Sequence, residues 1–250
     1  MQTLWGGGCM EDEEAYLKFL EERRSRILEI ADEALKRSGR ADAKFTLAAV
    51  SKTVGPDEVA QAWKAGYRVF AENRPQELRR KLEALDGHPE MEGVRFDMIG
   101  NFQTNKVNMV VGKVGLIQSV SSLHLAEVIS KHSLARSLVS KVLLEVNVSG
   151  EESKSGFAPA ELIENLDGLL ALSGIEIEGL MTMAPAHDPD AARRTFSGLR
   201  ELAEDLRQRT SLSLAELSCG MSDDFPIALE EGSTLIRLGR VVFSPDYELK

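Results

Sequence analysis

Lys52 ends the apolar run Phe45-Thr46-Leu47-Ala48-Ala49-Val50-Ser51. An amine placed where a buried strand runs out sits at the mouth of the core that the strand enters. Apolar walls around it would lower its pKa and raise its neutral, nucleophilic fraction, which suits it to condense with an aldehyde or ketone. The plainer reading is a strand-end lysine whose stem lies on the core and whose head reaches water. The loop Cys219-Gly220-Met221-Ser222 offers a second chemistry. Gly220 permits close backbone approach, Ser222 can cap a helix starting at Asp224, and the unpaired N–H groups of that helix suit an anion. Simple capping, with Asp223 and Asp224 favouring the helix dipole, is the alternative. Arg237 lies within Leu235-Ile236-Arg237-Leu238, where a guanidinium turned into a core needs an acceptor. A strand glutamate such as Glu145 would serve, and so would a ligand phosphate or a heterocyclic nitrogen. A strand-end lysine, a phosphate-ready loop and an interior arginine together suit a phosphorylated aldehyde; pyridoxal phosphate held as an imine satisfies all three.

These residues are far apart in the chain, so a frame must gather them. A long amphipathic helix over 11–38 carries Leu17, Leu20, Ile27, Leu28, Ala31 and Leu35 on one side and stops at Gly39. It precedes the first strand and is expected to pack outside the main unit. From Phe45 onward, strands alternate with helices. The first strand leads to a helix over 56–66, then strand 68–72 to helix 75–85, strand 95–99 to a helix near 105–111, and strand 115–120 to helix 122–137. Strand 141–148 leads to helix 159–172, strand 175–183 to helix 189–209, strand 213–218 to a short helix 224–231, and strand 234–238 ends the series. Eight such units predict an α/β fold, a single (β/α)8 TIM-type barrel with an extra N-terminal helix. An open doubly wound sheet is the second choice, but a dinucleotide fold wants Gly-x-Gly-x-x-Gly after its first strand, and Lys52-Thr53-Val54-Gly55 is no such turn. In a barrel, chemistry gathers in the loops where the strands end. Those loops hold Ser51-Lys52, Glu72-Asn73-Arg74, Asn101 to Lys106, Asn147 to Gly156, Thr182 and Cys219 to Ser222.

Composition sets limits. The chain has 250 residues, 43% hydrophobic and 28% charged, ordinary for a globular protein. Its net charge of -10 disfavours nonspecific binding to nucleic acid or an anionic membrane. Its two cysteines, Cys9 and Cys219, make a disulfide framework improbable and fit a reducing compartment. No apolar run approaches the roughly twenty residues needed to span a bilayer, and Met1 to Met10 lacks the features of a leader. The expectation is a cytoplasmic protein with a flexible tail over 1–10 and one barrel domain over 11–250.

Several segments resemble the pyridoxal phosphate homeostasis proteins. They are Ala49-Val50-Ser51-Lys52-Thr53, Glu72-Asn73-Arg74-x-Gln76-Glu77, Ile99-Gly100-x-x-Gln103-x-Asn105-Lys106 and Val146-Asn147-Val148-Ser149-Gly150-Glu151-Glu152-Ser153-Lys154-Ser155-Gly156. Gly179-Leu180-Met181-Thr182-Met183, Gly220-Met221-Ser222-x-Asp224-Phe225 and Gly232-Ser233-Thr234-x-x-Arg237-x-Gly239 follow in the family's order. The resemblance implies a barrel related to the N-terminal domain of alanine racemase, with pyridoxal 5'-phosphate bound to Lys52. It further implies that Ser222 and the backbones of Gly220 and Gly239 hold the phosphate, Met221 is a further cofactor-binding residue, Asn73 lines the ring pocket, and Arg237 faces the pyridine nitrogen. Two segments depart from the pattern: Asn101-Phe102 stands where His-Leu is usual, and Ala71 and Pro75 replace a glycine and a branched apolar residue.

Two function classes compete. The resemblance implies a carrier or reservoir that holds the cofactor without strong turnover, with pyridoxal phosphate and pyridoxal phosphate-dependent apoenzymes as partners and a monomer or weak homodimer as the assembly. The enzyme alternative is an amino-acid racemase, which needs a second acid/base opposite the lysine. Alanine racemases supply a tyrosine from an additional domain. Here Tyr16, Tyr67 and Tyr247 occupy no expected strand end, and Cys219 or His187 would have to substitute. A third reading, a barrel acting only through partner contacts, predicts no chromophore.

Overall fold

Alternate residues of the strands point to opposite faces, and this period of two builds two apolar layers. In a computed structural model, which describes residues 10–151 and 153–249, Ala48, Val50, Ala71, Leu116, Leu143, Met181 and Leu235 form an inner cluster. Their neighbours Ala49, Phe70, Phe96, Ile117, Leu144, Leu180 and Ile236 face outward into the larger core shared with the helices. The strands are β1 (Thr46–Val50), β2 (Val69–Glu72), β3 (Arg95–Met98), β4 (Leu116–Val120), β5 (Ser140–Glu145), β6 (Ile175–Met181), β7 (Glu216–Ser218) and β8 (Leu235–Leu238). They pair in parallel and in chain order around a closed barrel. The expected (β/α)8 barrel is the observed fold. The glycine run before Met10, with Cys9, and residue Glu152 lie outside the described residues.

The helices are α1 (Met10–Arg37), α2 (Pro56–Lys64), α3 (Pro75–Leu85), α4 (Leu123–Leu134), α5 (Pro159–Glu164), α6 (Leu166–Leu170), α7 (Pro189–Arg209), α8 (Phe225–Glu230) and α9 (Arg240–Phe243). As expected, α1 lies outside the barrel. It buries Tyr16, Leu20, Ile27, Ala31, Ala34 and Leu35 against α2, α8 and α9. No helix among the described residues is long and apolar enough to cross a membrane.

Four local expectations need correction. The helix expected over 159–172 breaks at Asn165 into α5 and α6. There the Asn165 side-chain amide donates to the Glu161 carbonyl at 2.8 Å, the kind of local bond that competes with a helical ladder. The segment expected near 105–111 is a 3-10 turn, Thr104–Met109. Strand five leaves the sheet after Glu145 because the chain folds back on it: Phe157 N–H donates to the Glu145 carbonyl at 2.8 Å, and Asn147 N–H to the Phe157 carbonyl at 2.9 Å. Finally, the short α9 was not foreseen; it starts at Gly239, whose carbonyl accepts from the N–H groups of Val242 and Phe243 at 3.0 Å each.

One buried ion pair also escaped the sequence reading. Lys81 repeats the helical spacing of Leu78 and Leu85 on α3 and is 0% exposed. Its ammonium pairs with the Glu72 carboxylate and donates to the Ser51 carbonyl at 2.5 Å. Ser51 Oγ donates to the same carboxylate oxygen at 2.6 Å. The network fastens the ends of β1 and β2 to α3, one residue before Lys52 and Asn73 respectively. Breaking such a pair leaves a charge buried without compensation. Lys81→Met should lower stability by about 3–5 kcal/mol in urea unfolding, whereas joint replacement of Lys81 and Glu72 by apolar residues should restore most of it. A single variant as stable as the parent would contradict this account.

Candidate functional site

The loops at the C-terminal rim surround a cavity of about 580 Å³. Lys52 reaches it from the end of β1, Asn73 from β2, Arg237 from β8, and Met221, Ser222 and Gly239 from the loops after β7 and β8. Residues separated by most of the chain thus share one space. Gly220 is the exception among the expected site residues: it lies beneath the wall, its carbonyl accepting the Arg237 N–H at 3.0 Å. It adopts a φ of +96°, and an added Cβ would lie 2.6 Å from Ala228 Cβ, so only glycine fits this turn.

The structure revises the expected setting of several side chains. Lys52 is exposed at the rim, so the desolvating apolar walls expected around it are not there. Ser222 does not cap α8. Its Oγ accepts from the Val241 N–H of α9 at 3.3 Å. Asp224 occupies the N-cap position of α8 without a side-chain capping bond; its carboxylate instead accepts from the Met221 N–H of the preceding loop at 2.5 Å. The N–H groups of Asp224 and Phe225 turn to the Met221 carbonyl and are unavailable to an anion. The rim beside Ser222 is therefore formed by Gly239 and Arg240. Asp223, an apparent obstacle to an anion, is engaged elsewhere. It pairs with Arg240 and accepts from the Tyr247 hydroxyl at 2.7 Å, and that hydrogen bond holds its carboxyl below the usual range.

Arg237 is 4% exposed and does not form the ion pair with Glu145 considered from sequence. Its guanidinium donates to Ser218 Oγ at 2.5 Å and to the Thr182 carbonyl at 3.0 Å. From there a chain of polar groups crosses the barrel interior. Ser218 Oγ donates to Gln118 Oε1 at 2.7 Å, Gln118 Nε2 donates to Asp97 Oδ2 at 2.8 Å, and Arg95 clasps Asp97 with bonds of 2.8 and 3.0 Å. Burial raises the Asp97 pKa while Arg95 opposes it. The signal for this chain was present as polar residues at inward positions of apolar strands, but reading it requires the register. Glu145 also lines the cavity. One of its carboxyl oxygens accepts from Ser155 Oγ at 2.5 Å; the other is buried without a hydrogen-bond partner among the described residues. Leaving such a group unpaired costs about 1–3 kcal/mol.

The other residues weighed for acid/base work are placed differently. Cys219 is buried outside the cavity wall, and burial pushes its thiol up to about 12. His187 lines the rim and is exposed. Tyr247 tethers the C-terminal segment to the loop carrying Ser222, its hydroxyl donating to the Ser222 carbonyl at 2.9 Å as well as to Asp223. Asn101, at the position where the resembled family usually has histidine, lines the cavity. Its neighbour Phe102 packs on the outer core. Among the described residues no cluster of metal-ligating side chains occurs.

Comparison with known proteins agrees with this architecture. The family model for the N-terminal domain of alanine racemase matches residues 30–245. A pyridoxal phosphate homeostasis protein of Aquifex aeolicus is 40% identical over 223 residues, covering 89% of this chain and 96% of that one. A crystal structure of a Bifidobacterium adolescentis protein of unknown function superposes with a TM-score of 0.86 at 37% identity, over 92% of this chain and 96% of that one. PipY of Synechococcus elongatus, solved with PLP bound, gives a TM-score of 0.75 at 32% identity, over 86% of this chain and all of that one. With its barrel, its rim and these relatives in agreement, the chain belongs to the pyridoxal phosphate homeostasis protein family.

Proposed function

We propose that this protein binds pyridoxal 5'-phosphate at the barrel rim, with Lys52 forming an imine to its aldehyde, and serves as an intracellular carrier or reservoir of the cofactor. The observation that carries the reading is one cavity shared by the Lys52 amine, the rim at Ser222 and Gly239, and the buried Arg237. Its volume lies in the range of small-molecule sites. The residues fit the group: Ser222 Oγ and the Gly239 backbone stand where a phosphate would be held, Met221 and Gly220 shape the loop, and Asn73 flanks the ring space.

When bound, the cofactor supplies an aldehyde carbon and a ring able to take up electron density. Arg237 limits the second property. A guanidinium donates and does not accept, so it favours an unprotonated pyridine nitrogen and a weaker electron sink. That supports holding the cofactor over transamination. The exposed Lys52 supports exchange with an acceptor, because the amine is within reach from the open mouth. Charge-assisted hydrogen bonds of about 1.5–3 kcal/mol each around a phosphate retain the ligand without the covalent link. The racemase reading has less support. It needs an acid/base opposite Lys52; Cys219 is sequestered, Tyr247 is held by Ser222 and Asp223, and His187 is the one weighed candidate that lines the cavity, at its exposed rim.

Near-ultraviolet and visible absorption of the protein with added pyridoxal phosphate, before and after borohydride reduction, tests the reading. An imine band and a reduced adduct mapped to Lys52 are expected; neither band nor adduct would overturn it. Lys52→Ala should abolish the adduct and weaken binding without eliminating it, and total loss of binding would contradict phosphate anchoring. The interior chain makes a separate prediction. Gln118→Leu removes the group that holds Ser218 against Arg237, so affinity should fall roughly fivefold, about 1 kcal/mol, while the Lys52 adduct still forms. Equilibrium dialysis showing unchanged affinity would sever the link between this chain and the ligand.

A further inference from the structure

We propose that Tyr247 is a positioning residue for the phosphate of bound pyridoxal phosphate, fixing the Ser222–Asp223 peptide from behind the cavity wall and linking it to α1. This rests on the cofactor reading above and extends it to a residue that is not among those bordering the cavity. Met221, Ser222, Asp223, Gly239 and Arg240 border the cavity, whereas Tyr247 borders a separate surface groove with Phe19, Arg23 and Arg26 of α1. Between the two, the Tyr247 hydroxyl shares its proton between the Ser222 carbonyl at 2.9 Å and Asp223 Oδ1 at 2.7 Å. The Tyr247 carbonyl accepts from Arg23 Nη1 at 2.8 Å, and the Tyr247 N–H donates to the Ser244 carbonyl at 3.2 Å. The phenol is therefore anchored through its own backbone as well as through the loop it holds.

Two effects on a phosphate follow. Among the described residues every peptide is trans, so the Asp223 N–H leaves its peptide on the side opposite the Ser222 carbonyl that Tyr247 holds. No group among the described residues accepts from that N–H. Fixing the carbonyl thus also fixes a free backbone donor beside Ser222. The second effect is on charge. Asp223 borders the cavity, and an anion there opposes a second one. Tyr247 takes its Oδ1 and Arg240 its Oδ2, which ties the carboxylate down and offsets its charge. Burial and the neighbouring Asp223 carboxylate push the Tyr247 hydroxyl up to about 12, so it stays a donor across the neutral range. The loop depends on this support, because the Ser222 side chain is otherwise held only by the long bond of 3.3 Å from the Val241 N–H.

The test compares two ligands on the full-length protein, pyridoxal 5'-phosphate and 5'-deoxypyridoxal, which keeps the ring and aldehyde and carries a methyl group in place of the phosphate ester arm. Equilibrium dialysis gives the affinities, and borohydride trapping on Lys52 verifies that both occupy the same site. Tyr247→Phe keeps the ring and removes only the hydroxyl. It should weaken pyridoxal phosphate about tenfold, a difference of about 1.4 kcal/mol, and leave 5'-deoxypyridoxal nearly unchanged. Arg23→Met, which loosens the same segment without touching the hydroxyl, should give a smaller loss of about threefold, again confined to the phosphorylated ligand. Unchanged pyridoxal phosphate affinity in Tyr247→Phe overturns the proposal. An equal loss for both ligands in a folded Tyr247→Phe protein, checked by urea unfolding, also overturns it, by assigning Tyr247 to the framework. Unchanged affinity in Arg23→Met overturns the link to α1, and the whole proposal where Tyr247→Phe does not fold. If the parent binds neither ligand, the cofactor reading itself fails and takes this proposal with it; parent binding without a phosphate-selective loss in Tyr247→Phe rejects the positioning role alone.

Discussion

Closure of the sheet by pairing β1 with β8 is the constraint from which the site follows. Ala48 lies opposite Arg237 and Ala49 opposite Leu238, so the first and last strands, with most of the chain between them, run side by side. Bringing such distant segments together costs loop-closure entropy, which the continuous hydrogen-bonded ring and its two apolar layers offset. Once the ring is closed, parallel strands must all end on the same rim. Lys52, Arg237 and Gly239 become neighbours through this closure. An open sheet made from the same segments would separate β1 from β8 and dismantle the cavity.

Two buried polar systems refine that rim. Lys81, Glu72 and Ser51 lie on the outer side of the barrel, under α3, and tie down the ends of β1 and β2. Asp97, Gln118, Ser218 and Arg237 run through the barrel interior. Both place charges where desolvation is costly, and such groups persist only when their hydrogen bonds are met. An apolar filling would pack the same space, but it would not orient a guanidinium at the cavity floor or anchor two strand ends beside their rim residues. Glu72 and Glu145 each keep one buried carboxyl oxygen without a hydrogen-bond partner among the described residues, the second oxygen of Glu145 being met by Ser155.

Loop construction divides the rim into supported and open sides. Tyr247 and Arg240 brace the loop carrying Ser222 by engaging Asp223, and Gly220 supplies the left-handed turn on which that loop depends. On the side of β5, Phe157 folds the chain back against Glu145 and Asn147, which brings Ser155 onto the Glu145 carboxyl. Lys52 remains exposed between these braced segments. A braced wall beside an accessible amine suits the proposed reading, in which the site holds a phosphorylated aldehyde and can surrender it.

Sequence alone determined the order of strands and helices, the barrel, and the rim residues Lys52, Asn73, Met221, Ser222, Arg237 and Gly239, because hydrophobic periodicity and motif order are local properties written directly in the chain. It did not determine what those residues touch. Ser222 bonds to α9 instead of capping α8, Arg237 bypasses Glu145 for Ser218 and Thr182, and Lys52 is exposed where apolar walls were expected. Lys81 lies within the expected helix 75–85, and only tertiary packing buries it against Glu72. Hydrogen-bond partners depend on strand register, on the direction a side chain leaves its element, and on segments remote in sequence. A rule based on spacing cannot resolve these, and only the closed barrel decided them.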